Sequence, residues 1–429
     1  MAPTRRLLDD CFLHDRDRLR HAEALAILQE RIVPVAGQES VALGEAHARI
    51  LARPVVAAQN VPLADNSAVD GYAFLHEHYL SAGDGLLPIS ARIAAGHPLK
   101  SPLAPGSAAR IFTGALMPDG ADTVVMQEDC EITERGGQTF VHVPPGLKPG
   151  ANRRKAGEDL KVGEVLVQAG ARLRPQDIAA IASTGAGRVD VFRRLRVALV
   201  SSGDELRRPG QPLPAGGVYD SNHFLLSGLV AASGVEITDL GILPDRAEAV
   251  QAALSAAALT HDVIITTGGA SRGEEDHFVA AIDELGSRHM WQLAIKPGRP
   301  MNFGRIGDCV TLGLPGNPVA AMVCGLLYVL PVLSALGGGA FFEPVRYQIP
   351  AAFSVPKKKP DRREFYRGIL ESDSAGRTVV RKFARDGSGL ITSLREADGL
   401  IEIPEEATSV VEGQLVNFIS FGDYGLAAR

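Results

Sequence analysis

The stretch RVALVSSGDEL, residues 196–206, opens the part of the chain whose pattern decides the fold. It begins as a continuous apolar strand and ends in a polar, glycine-containing turn. Similar strands recur up to residue 340, mostly separated by helical segments; the predicted strands are RVALVSS, GVEITDLG, DVIITTGG, WQLAIKPG and DCVTLGLPG. Apolar strands that alternate with helices are typical of a doubly wound, mostly parallel sheet. We therefore predict a central α/β domain over residues 191–340.

The composition limits the classes of protein to which the chain can belong. Its 429 residues are 45% hydrophobic, enough for several cores, and a net charge of −6 disfavours a general nucleic-acid binder. The four cysteines (11, 130, 309 and 324) form no CxxC motif, so neither a disulfide framework nor a zinc ribbon is indicated. The opening segment MAPTRRLLDDCFLHDRDRLR has no apolar core, unlike a signal peptide. We expect a cytoplasmic protein.

One uncharged segment, residues 318–342, is long enough to cross a bilayer. Pro331 and the glycines at 337–339 interrupt it, and no Lys/Arg-rich flank follows. We predict a buried helix over residues 318–330 instead, with Asn317 as its N-cap, and no membrane span.

The remaining regions are richer in β-like segments. Short runs cut by glycine and proline predict a small all-β module over residues 61–144 and a β-barrel-like or meander domain over residues 341–429. Around the module, helical periodicity and stop signals predict three helices, at residues 14–33, 43–51 and 175–184, the last closed by Gly185. GEVLVQAGARL, residues 163–173, is a further short element.

Every predicted strand of the central domain ends in a polar or glycine-rich turn: SSGDE (201–205), GILPD (241–245), TTGGAS (266–271), KPGR (296–299) and GLPGNP (313–318). In an open parallel sheet such turns share one edge, where ligands bind. Backbone amides, helix N-termini, Lys296 and Arg299 suit a phosphate or another oxyanion. Glu205, Asp245 and Asp276 lie on the same rim. Because carboxylates beside a phosphate need a cation between them, the rim predicts a nucleotide or pyrophosphate ligand with Mg²⁺.

Glycine-rich turns also end strands for geometric reasons alone, so a single turn indicates little. Five turns on one edge favour a phosphate-ligand site. The chain has no GxxxxGK[ST] loop and no GxGxxG after its first central strand, which disfavours the common ATPases and dehydrogenases. No Ser-His-Asp arrangement stands out, and the 11 histidines lack metal-ligand spacing.

The β module contains DNSAVDGYA, residues 65–73, which is dense in polar and turn-forming residues. This segment, Thr113-Gly114 and residues 157–159 can each be explained as a turn whose side chains bond their own backbone. The basic cluster at residues 153–155 fits either a solvated face or part of an anion pocket, and spacing does not separate these alternatives.

Taken together, these phrases resemble the molybdopterin molybdenumtransferases, the MoeA family, which includes the E domain of gephyrin. The match runs from about residue 20 to the C-terminus. Its motifs, in family order, are DNSAVDGYA (65–73), RIFTGA (110–115), GED (157–159), SSGDEL (201–206), YDSN (219–222), GILPD (241–245), TGGASRGEED (267–276), KPGRP (296–300), GLPGNPVAA (313–321), REFYRG (363–368) and GSGLITSLREADGLIEIPEE (387–406).

The resemblance implies an enzyme that inserts molybdate into adenylylated molybdopterin with Mg²⁺ or a similar ion, giving molybdenum cofactor and AMP. It implies an elongated homodimer whose cleft lies between the α/β domain of one subunit and the β module of the other. Candidate protein partners are the molybdopterin adenylyltransferase and molybdoenzyme-maturation proteins. The implied domains are residues 10–60 with 145–190, then 61–144, 191–340 and 341–429.

The resemblance also implies the site residues, motif by motif. Glu205, Asp245 and Asp276 would bind the metal and trigger adenylate cleavage, and Asp65, Asp159 and Lys296 complete the catalytic set. Lys296 and Arg299 would hold an oxyanion, while Asp65 and Thr113 would reach across the dimer. Molybdate contacts would come from Arg362, Arg367 and Ser388. The other implied cofactor-binding residues are Ser67, Asp70, Gly71, Gly114, Ser201, Gly203, Asp220, Asn222, Thr267, Gly268, Gly269, Ser271, Gly273, Gly298, Pro315, Gly316 and Asn317.

Four positions depart from the family's usual pattern. Arg272 replaces a small apolar residue, His277 an aromatic residue, Gln292 a lysine frequent in bacterial relatives, and Val69 a methionine. Arg272 compensating for the charge missing at Gln292 is one hypothesis, and unchanged molybdate affinity and turnover in Arg272→Ala would contradict it.

Two other functions compete with the insertase. The related molybdopterin adenylyltransferase shares a TTGG-type core but normally lacks the DNSAVDGYA module and the C-terminal β domain. A scaffold paralogue would carry cofactor without turnover, although it would not need the three intact rim acids. AMP release on adding molybdate distinguishes all three functions.

Overall fold

The structure is a computed structural model that describes residues 18–268 and 277–426. Cys11 and the first four positions of the helix predicted over 14–33 lie outside these residues, and the side chains of 289–291 are left aside. The fold combines a central α/β sheet with two further six-stranded sheets, one in an inserted module and one at the C-terminal end. The predicted multidomain α/β-plus-β class is confirmed.

The central sheet has six strands, in the order Glu236–Leu243, Arg196–Ser202, Val263–Thr267, Cys309–Leu314, Pro300–Ile306 and Ser287–Gln292. The first four are parallel, and the last two pair antiparallel at one side. Alternate side chains of Val263–Thr267 enter different cores, with Val263 and Ile265 on one face and Ile264 on the other. Burial on both faces explains the continuous apolar strands of the sequence.

The prediction of a single strand in WQLAIKPG is wrong. Ser287–Gln292 belongs to the central sheet, whereas Ile295–Lys296 pairs in parallel with Arg363–Glu364 of the C-terminal sheet. The chain changes sheets because Leu293 and Ala294, both buried, turn it toward that partner. Lys296 therefore lies at the junction of two domains.

Helices cover the faces of the central sheet: Ser221–Ala231, Ala247–Ala258, His277–Leu285 and the continuous helical segment Pro318–Leu336. The last is longer than the predicted 318–330, because it passes through Pro331. A π-helical turn over Gly325–Val329, in which the Leu330 amide donates to Gly325 O, precedes the proline. Such a turn relieves the clash that a proline ring makes with the carbonyl of the preceding helical turn. Asn317 holds the N-cap position without a side-chain capping bond.

The segment Pro318–Leu336 is the one helix of the described residues that is long and apolar enough to cross a membrane. Of its most apolar window, 94% is buried inside the protein. That burial matches the predicted core helix.

Residues before and after the inserted module pair with each other. Helix His21–Arg31 is followed by Gln38–Ala42, which pairs antiparallel with Arg188–Phe192. The other short pairs are Val55–Val56 with Val165–Val167 and Asn66–Ser67 with Arg153–Arg154. The helix predicted at 175–184 is confirmed as Pro175–Ser183, with Gly185 in the left-handed region at φ 82°.

The helix predicted at 43–51 is wrong. Only a single 3-10 turn, Leu43–Glu45, forms there. Ile50 and Leu51 are instead extended and bridge to Arg172 and Val191. Pairing with strands more than a hundred residues away overrides the local helical pattern, as burial of an apolar edge often does.

The inserted module is a six-stranded sheet in the order Thr123–Met126, Gly71–Phe74, Ala108–Ile111, Leu86–Ile93, Gln138–His142 and Glu131–Arg135. It is not all-β, since it contains the helix His76–Ser81. This short helix packs Tyr79 onto Phe74 in the module's own core. A helix of six residues is too short to show a clear helical spacing of apolar residues, so the sequence did not predict it.

The C-terminal region is a β-rich domain, as predicted. Its strands are Tyr347–Pro350, Arg363–Ser372, Thr378–Lys382, Gly399–Ile403 and Leu415–Ser420, with the helix Ile391–Glu396 beside them. Leu206–Arg207 and Val218–Tyr219 form a separate short parallel pair near the central sheet.

Asp262, directly before the central strand Val263–Thr267, holds the segment that leads into the neighbouring strand Arg196–Ser202. Its carboxylate accepts from Arg193 at 2.6 and 2.7 Å and from the Arg196 amide at 2.8 Å. Burial opposes its ionisation, but these hydrogen bonds bring the pKa of Asp262 down to about 2.

Asp262→Asn is expected to lower the free energy of unfolding by about 2 kcal/mol, because two arginines lose a mostly buried counter-ion. The matched control is Asp283→Asn, whose pair with Arg288 is half-exposed; it should cost less than about 1 kcal/mol. Urea unfolding of both variants measures this. Equal losses would contradict the assigned role of Asp262.

Candidate active site

A cleft of about 450 Å³ lies where the turns of the central sheet meet the C-terminal sheet. Among the described residues, its lining comes from positions between 268 and 388, and none of the inserted module contributes. Eight predicted site residues line it: Gly268, Lys296, Gly298, Pro315, Gly316, Asn317, Arg367 and Ser388. The structure thus brings together turns that follow separate strands, as expected at this edge of a parallel sheet.

Position 298 in the cleft wall requires glycine, both for its backbone conformation and for lack of space. Its φ is 108°, and a Cβ there would lie 2.7 Å from Cys324 Sγ. Gly268, with φ 84°, follows the strand Val263–Thr267, and its Cα would lie 3.9 Å from a Cβ at Gly316. Two backbone turns can therefore approach each other, which leaves their amides close to a ligand.

Arg367 lines the cleft and forms no direct ion pair among the described residues, although the Asp386 carboxylate, which also lines the cleft, favours its charged form. Only 3% of the residue is exposed, and its guanidinium donates to Ser393 Oγ, Arg385 O and Gly387 O at 3.0, 2.7 and 3.3 Å. All three acceptors are neutral, and in the described part of the chain Arg367 pairs with no carboxylate. Burial lowers the pKa of Arg367, yet an arginine stays charged in proteins. The arrangement favours an anion.

Glu364 contacts Lys296 of the cleft and the nearby Arg362, and the sequence patterns missed it. Burial opposes its ionisation, but hydrogen bonds from Tyr366 at 2.5 Å and Arg362 at 2.8 Å keep the pKa of Glu364 below its usual range. Lys296 Nζ lies 3.8 Å away, with 42% of its side chain exposed. Lys296 is therefore held loosely and can reach a ligand.

Several cleft residues were not predicted: Pro297, Pro300, Ala320, Phe365, Tyr366 and Asp386. The motifs contained most of them: Phe365 and Tyr366 lie in REFYRG, Pro297 and Pro300 in KPGRP, and Ala320 in GLPGNPVAA, whereas Asp386 lies just before the last motif. Arg299 is exposed and Arg362 is paired with Glu364, and neither lines the cleft.

The acidic rim adjoins the carboxyl end of Arg196–Ser202. The Glu205 carboxylate folds over Gly203, where a Cβ would come within 2.5 Å of Oε2. Asp245 Oδ1 lies 3.5 Å from Ser202 Oγ, and the Asp245 amide donates to Asp204 Oδ1 at 3.2 Å. His277 Nε2 lies 3.9 Å from Asp245 Oδ1. Two predicted metal ligands are thus held beside the same strand end.

The third predicted ligand, Asp276, lies outside the described residues, together with Gly269, Ser271, Arg272 and Gly273. Within residues 18–268 and 277–426, no three acidic, histidine or cysteine side chains converge on a point. The carboxylate oxygens of Glu205 and Asp245 have the chemistry that Mg²⁺ prefers, so these two residues fit the ion.

Four other predicted residues of this region are buried. Asp220 caps the helix Ser221–Ala231 by accepting from the His223 amide, and it pairs with Arg208. Asn222 Nδ2 donates to Thr267 Oγ1 at 2.9 Å and Gly316 O at 2.7 Å. Asn222 Oδ1 and Ser201 Oγ have no hydrogen-bond partner among the described residues. Such orphaned acceptors at a ligand-facing edge are suited to a bound polar group.

In the inserted module, DNSAVDGYA bonds mainly to distant segments. Asp65 accepts from Arg153 Nε at 2.6 Å and from the Ala156 amide at 2.7 Å. The amide and hydroxyl of Thr113 donate to Asp70 at 2.8 and 2.7 Å. Local bonds come from Ser67, whose hydroxyl donates to Val69 O, and from Asn66, whose Nδ2 donates to Ala64 O at 3.4 Å. The two aspartates therefore hold three segments together.

The remaining predicted residues have simpler surroundings. Gly71 is required by strand packing, because a Cβ there would lie 1.9 Å from Val125 O. Gly114 has φ 78°, and its amide donates to Ser67 O. Asp159 is exposed and its amide donates to Val61 O. Within the basic cluster 153–155, Arg153 is bound to Asp65, and the other two side chains are exposed.

Comparison with known proteins places these features in a family. Three family models match the chain: the MoeA N-terminal region (domain I and II) over residues 19–185, a probable molybdopterin binding domain over 198–335, and the MoeA C-terminal region (domain IV) over 348–421.

Relatives match over most of their length. A molybdopterin molybdenumtransferase of Haemophilus influenzae is 36% identical over 385 residues, covering 89% of this chain and 94% of that protein. One from Nostoc is 36% identical over 392 residues, covering 88% and 87%. A solved structure of the molybdopterin biosynthesis MoeA protein from Pyrococcus horikoshii has a TM-score of 0.80 at 28% identity, covering 94% of this chain and all of that one. This chain belongs to the MoeA family.

Proposed function

We propose that this protein is a molybdopterin molybdenumtransferase that inserts molybdate into adenylylated molybdopterin, cleaves the adenylate in an Mg²⁺-dependent step and releases AMP. The observation that carries the proposal is Arg367, a buried arginine that lines the cleft, donates only to neutral acceptors and forms no direct ion pair among the described residues. Molybdate is a tetrahedral dianion, and charge-assisted hydrogen bonds from a fixed guanidinium suit it. The names of the 36%-identical relatives support the same activity.

The site residues divide into two groups with different tasks. Arg367, Lys296 and Ser388 hold the oxyanion at the cleft between the central and C-terminal sheets. Glu205 and Asp245 would hold Mg²⁺ at the rim, with Asp276 as the proposed third ligand, and the ion would neutralise charge on the phosphoanhydride. The bond that breaks is a P–O bond of this anhydride, and water supplies the new oxygen of the phosphate. Holding both anions close converts two encounters into one oriented step.

The proposal includes a homodimer. Asp65 and Thr113 belong to the inserted module, which lines no part of the cleft within the described chain. A second copy would bring these residues to the cleft of the first. The proposed domain division is residues 10–60 with 145–190, then 61–144, 191–340 and 341–429, in a cytoplasmic protein.

The decisive experiment is AMP release from adenylyl-molybdopterin, with and without molybdate and Mg²⁺. Wild type should release AMP only when molybdate is present, and Asp245→Asn or Asp276→Ala should slow release at least about 100-fold, since each removes a metal ligand. Glu284→Gln, an exposed helix carboxylate, is the control and should match wild type. Tight binding without release would favour the scaffold alternative, and ATP consumption would favour the adenylyltransferase.

A further inference from the structure

The inserted module carries two adjacent arginines on one face of its sheet. Arg92 lies opposite Arg110 in the parallel strand pair Leu86–Ile93 and Ala108–Ile111. Like charges directly opposite one another destabilise a sheet. In the described part of the chain, neither guanidinium forms an ion pair with a carboxylate. The sheet thus holds two like charges side by side, while Arg110 acts on the nearby carboxylates of Asp70 and Glu128 without an ion-pair contact.

Aromatic rings fix both guanidiniums in place. Arg92 lies 4.7 Å and Arg110 5.0 Å from the centre of the Phe112 ring, and Arg110 also lies 4.9 Å from the Tyr72 ring. Stacking uses the flat face of a guanidinium and leaves its in-plane N–H groups directed outward. Arg110 donates one of them to Gln127. Together, Arg92, Arg110 and Phe112 form what we call the arginine platform.

The arginine platform adjoins residues already predicted to reach the substrate. Thr113 and Gly114 follow Phe112 directly, and both are exposed. The acidic neighbour Asp70 is already occupied by the amide and hydroxyl of Thr113. The donors of the platform are therefore not consumed by that carboxylate.

We propose that the arginine platform binds a phosphate group of the adenylylated substrate, which rests on the proposed function. Two guanidiniums held beside one aromatic ring present several charged donors, which phosphate oxygens accept. The bound phosphate also removes the repulsion between Arg92 and Arg110. The platform acts in binding, because guanidiniums hold a phosphate, whereas the acids proposed to hold the metal belong to the central domain.

The test is equilibrium binding of adenylyl-molybdopterin without molybdate, alongside steady-state AMP release, for the full chain. The double variant Arg92→Gln/Arg110→Gln should raise both Kd and KM at least about tenfold and leave kcat within about twofold. Its Kd should also depend less steeply on salt concentration, which a purely structural role would not produce. Arg110→Lys keeps the positive charge but loses the planar set of guanidinium donors, so its Kd and KM should lie between those of wild type and the double variant.

Arg135→Gln is the matched control, since Arg135 is an exposed arginine on the Glu131–Arg135 hairpin strand of the same module. A double variant that folds and binds like wild type would overturn the platform. Wild type that binds substrate but releases no AMP would overturn the proposed function alone, because the Kd values still report on the platform.

Discussion

Replacing Arg367 with methionine is expected to lower kcat/KM for molybdate at least about 100-fold, because the cleft loses a desolvated, fixed charge aimed at an oxyanion. The side chain is buried and holds three neutral acceptors, so the free guanidinium charge is already oriented before a ligand arrives. Molybdate-dependent AMP release at varied molybdate concentration measures the effect.

Two further variants make this result specific. Arg367→Lys keeps the charge and should recover part of the activity, although its compact ammonium cannot replace the fork of donors. Arg395→Met removes an exposed arginine from the neighbouring helix Ile391–Glu396 and should change nothing. If Arg367→Met retained wild-type kcat/KM while Arg367→Lys did too, the anion would have to bind elsewhere.

His21 is expected to make the protein acid-sensitive. Its Nδ1 lies 2.7 Å from the Tyr328 hydroxyl, and its ring meets Tyr328 and Phe365 edge-on. Its Nε2 has no hydrogen-bond partner in the part of the chain that the structure describes. Burial, reinforced by Arg363, lowers the pKa of His21 from 6.5 to about 4. The native protein therefore keeps His21 neutral over a range in which the unfolded chain protonates it.

The sign of the effect follows from proton binding. Below pH 6.5 the unfolded state binds a proton that the native state does not. The free energy of unfolding therefore decreases as the pH is lowered, until native His21 also protonates near pH 4. Between pH 7 and pH 5 this group alone should cost about 2 kcal/mol of unfolding free energy. Glu402, paired with Arg346, has a lowered pKa and stays ionised over this window.

Urea unfolding of wild type and His21→Phe at pH 7 and pH 5 measures this dependence. The variant should lose about 2 kcal/mol less between the two pH values than wild type does, whatever its absolute stability. His97→Gln, at an exposed histidine, should leave the wild-type difference unchanged. Identical pH dependence in His21→Phe and wild type would contradict a neutral buried imidazole.

The central fold could be predicted from the sequence, because its signals are local. RVALVSS became the strand Arg196–Ser202 without a change of boundary, and the turns after the central strands do meet at one edge. Uninterrupted apolar runs report burial on both faces, and a turn after each strand reports its end. Motifs likewise placed Lys296, Arg367 and Ser388 at one site, where they line one cleft.

Only the tertiary structure decided the features that depend on distant partners. Residues 43–51 have a helical pattern but become extended, since Ile50 and Leu51 pair with Arg172 and Val191. Ile295–Lys296 leaves the central sheet for Arg363–Glu364. The spacing of apolar residues along the chain indicates which side chains are buried, but it does not indicate which distant strand packs or pairs with them.

The charges of the cleft show the same division. The sequence by itself determined that Arg367 and Lys296 are present in a family motif, but Glu364 looks there like an ordinary surface carboxylate. Folding buries Glu364 against Arg362 and Tyr366 and leaves Arg367 with neutral acceptors only. The charge balance of the site was decided by tertiary packing, because the strength of an electrostatic interaction depends on distance and solvent exposure, which three-dimensional structure alone sets.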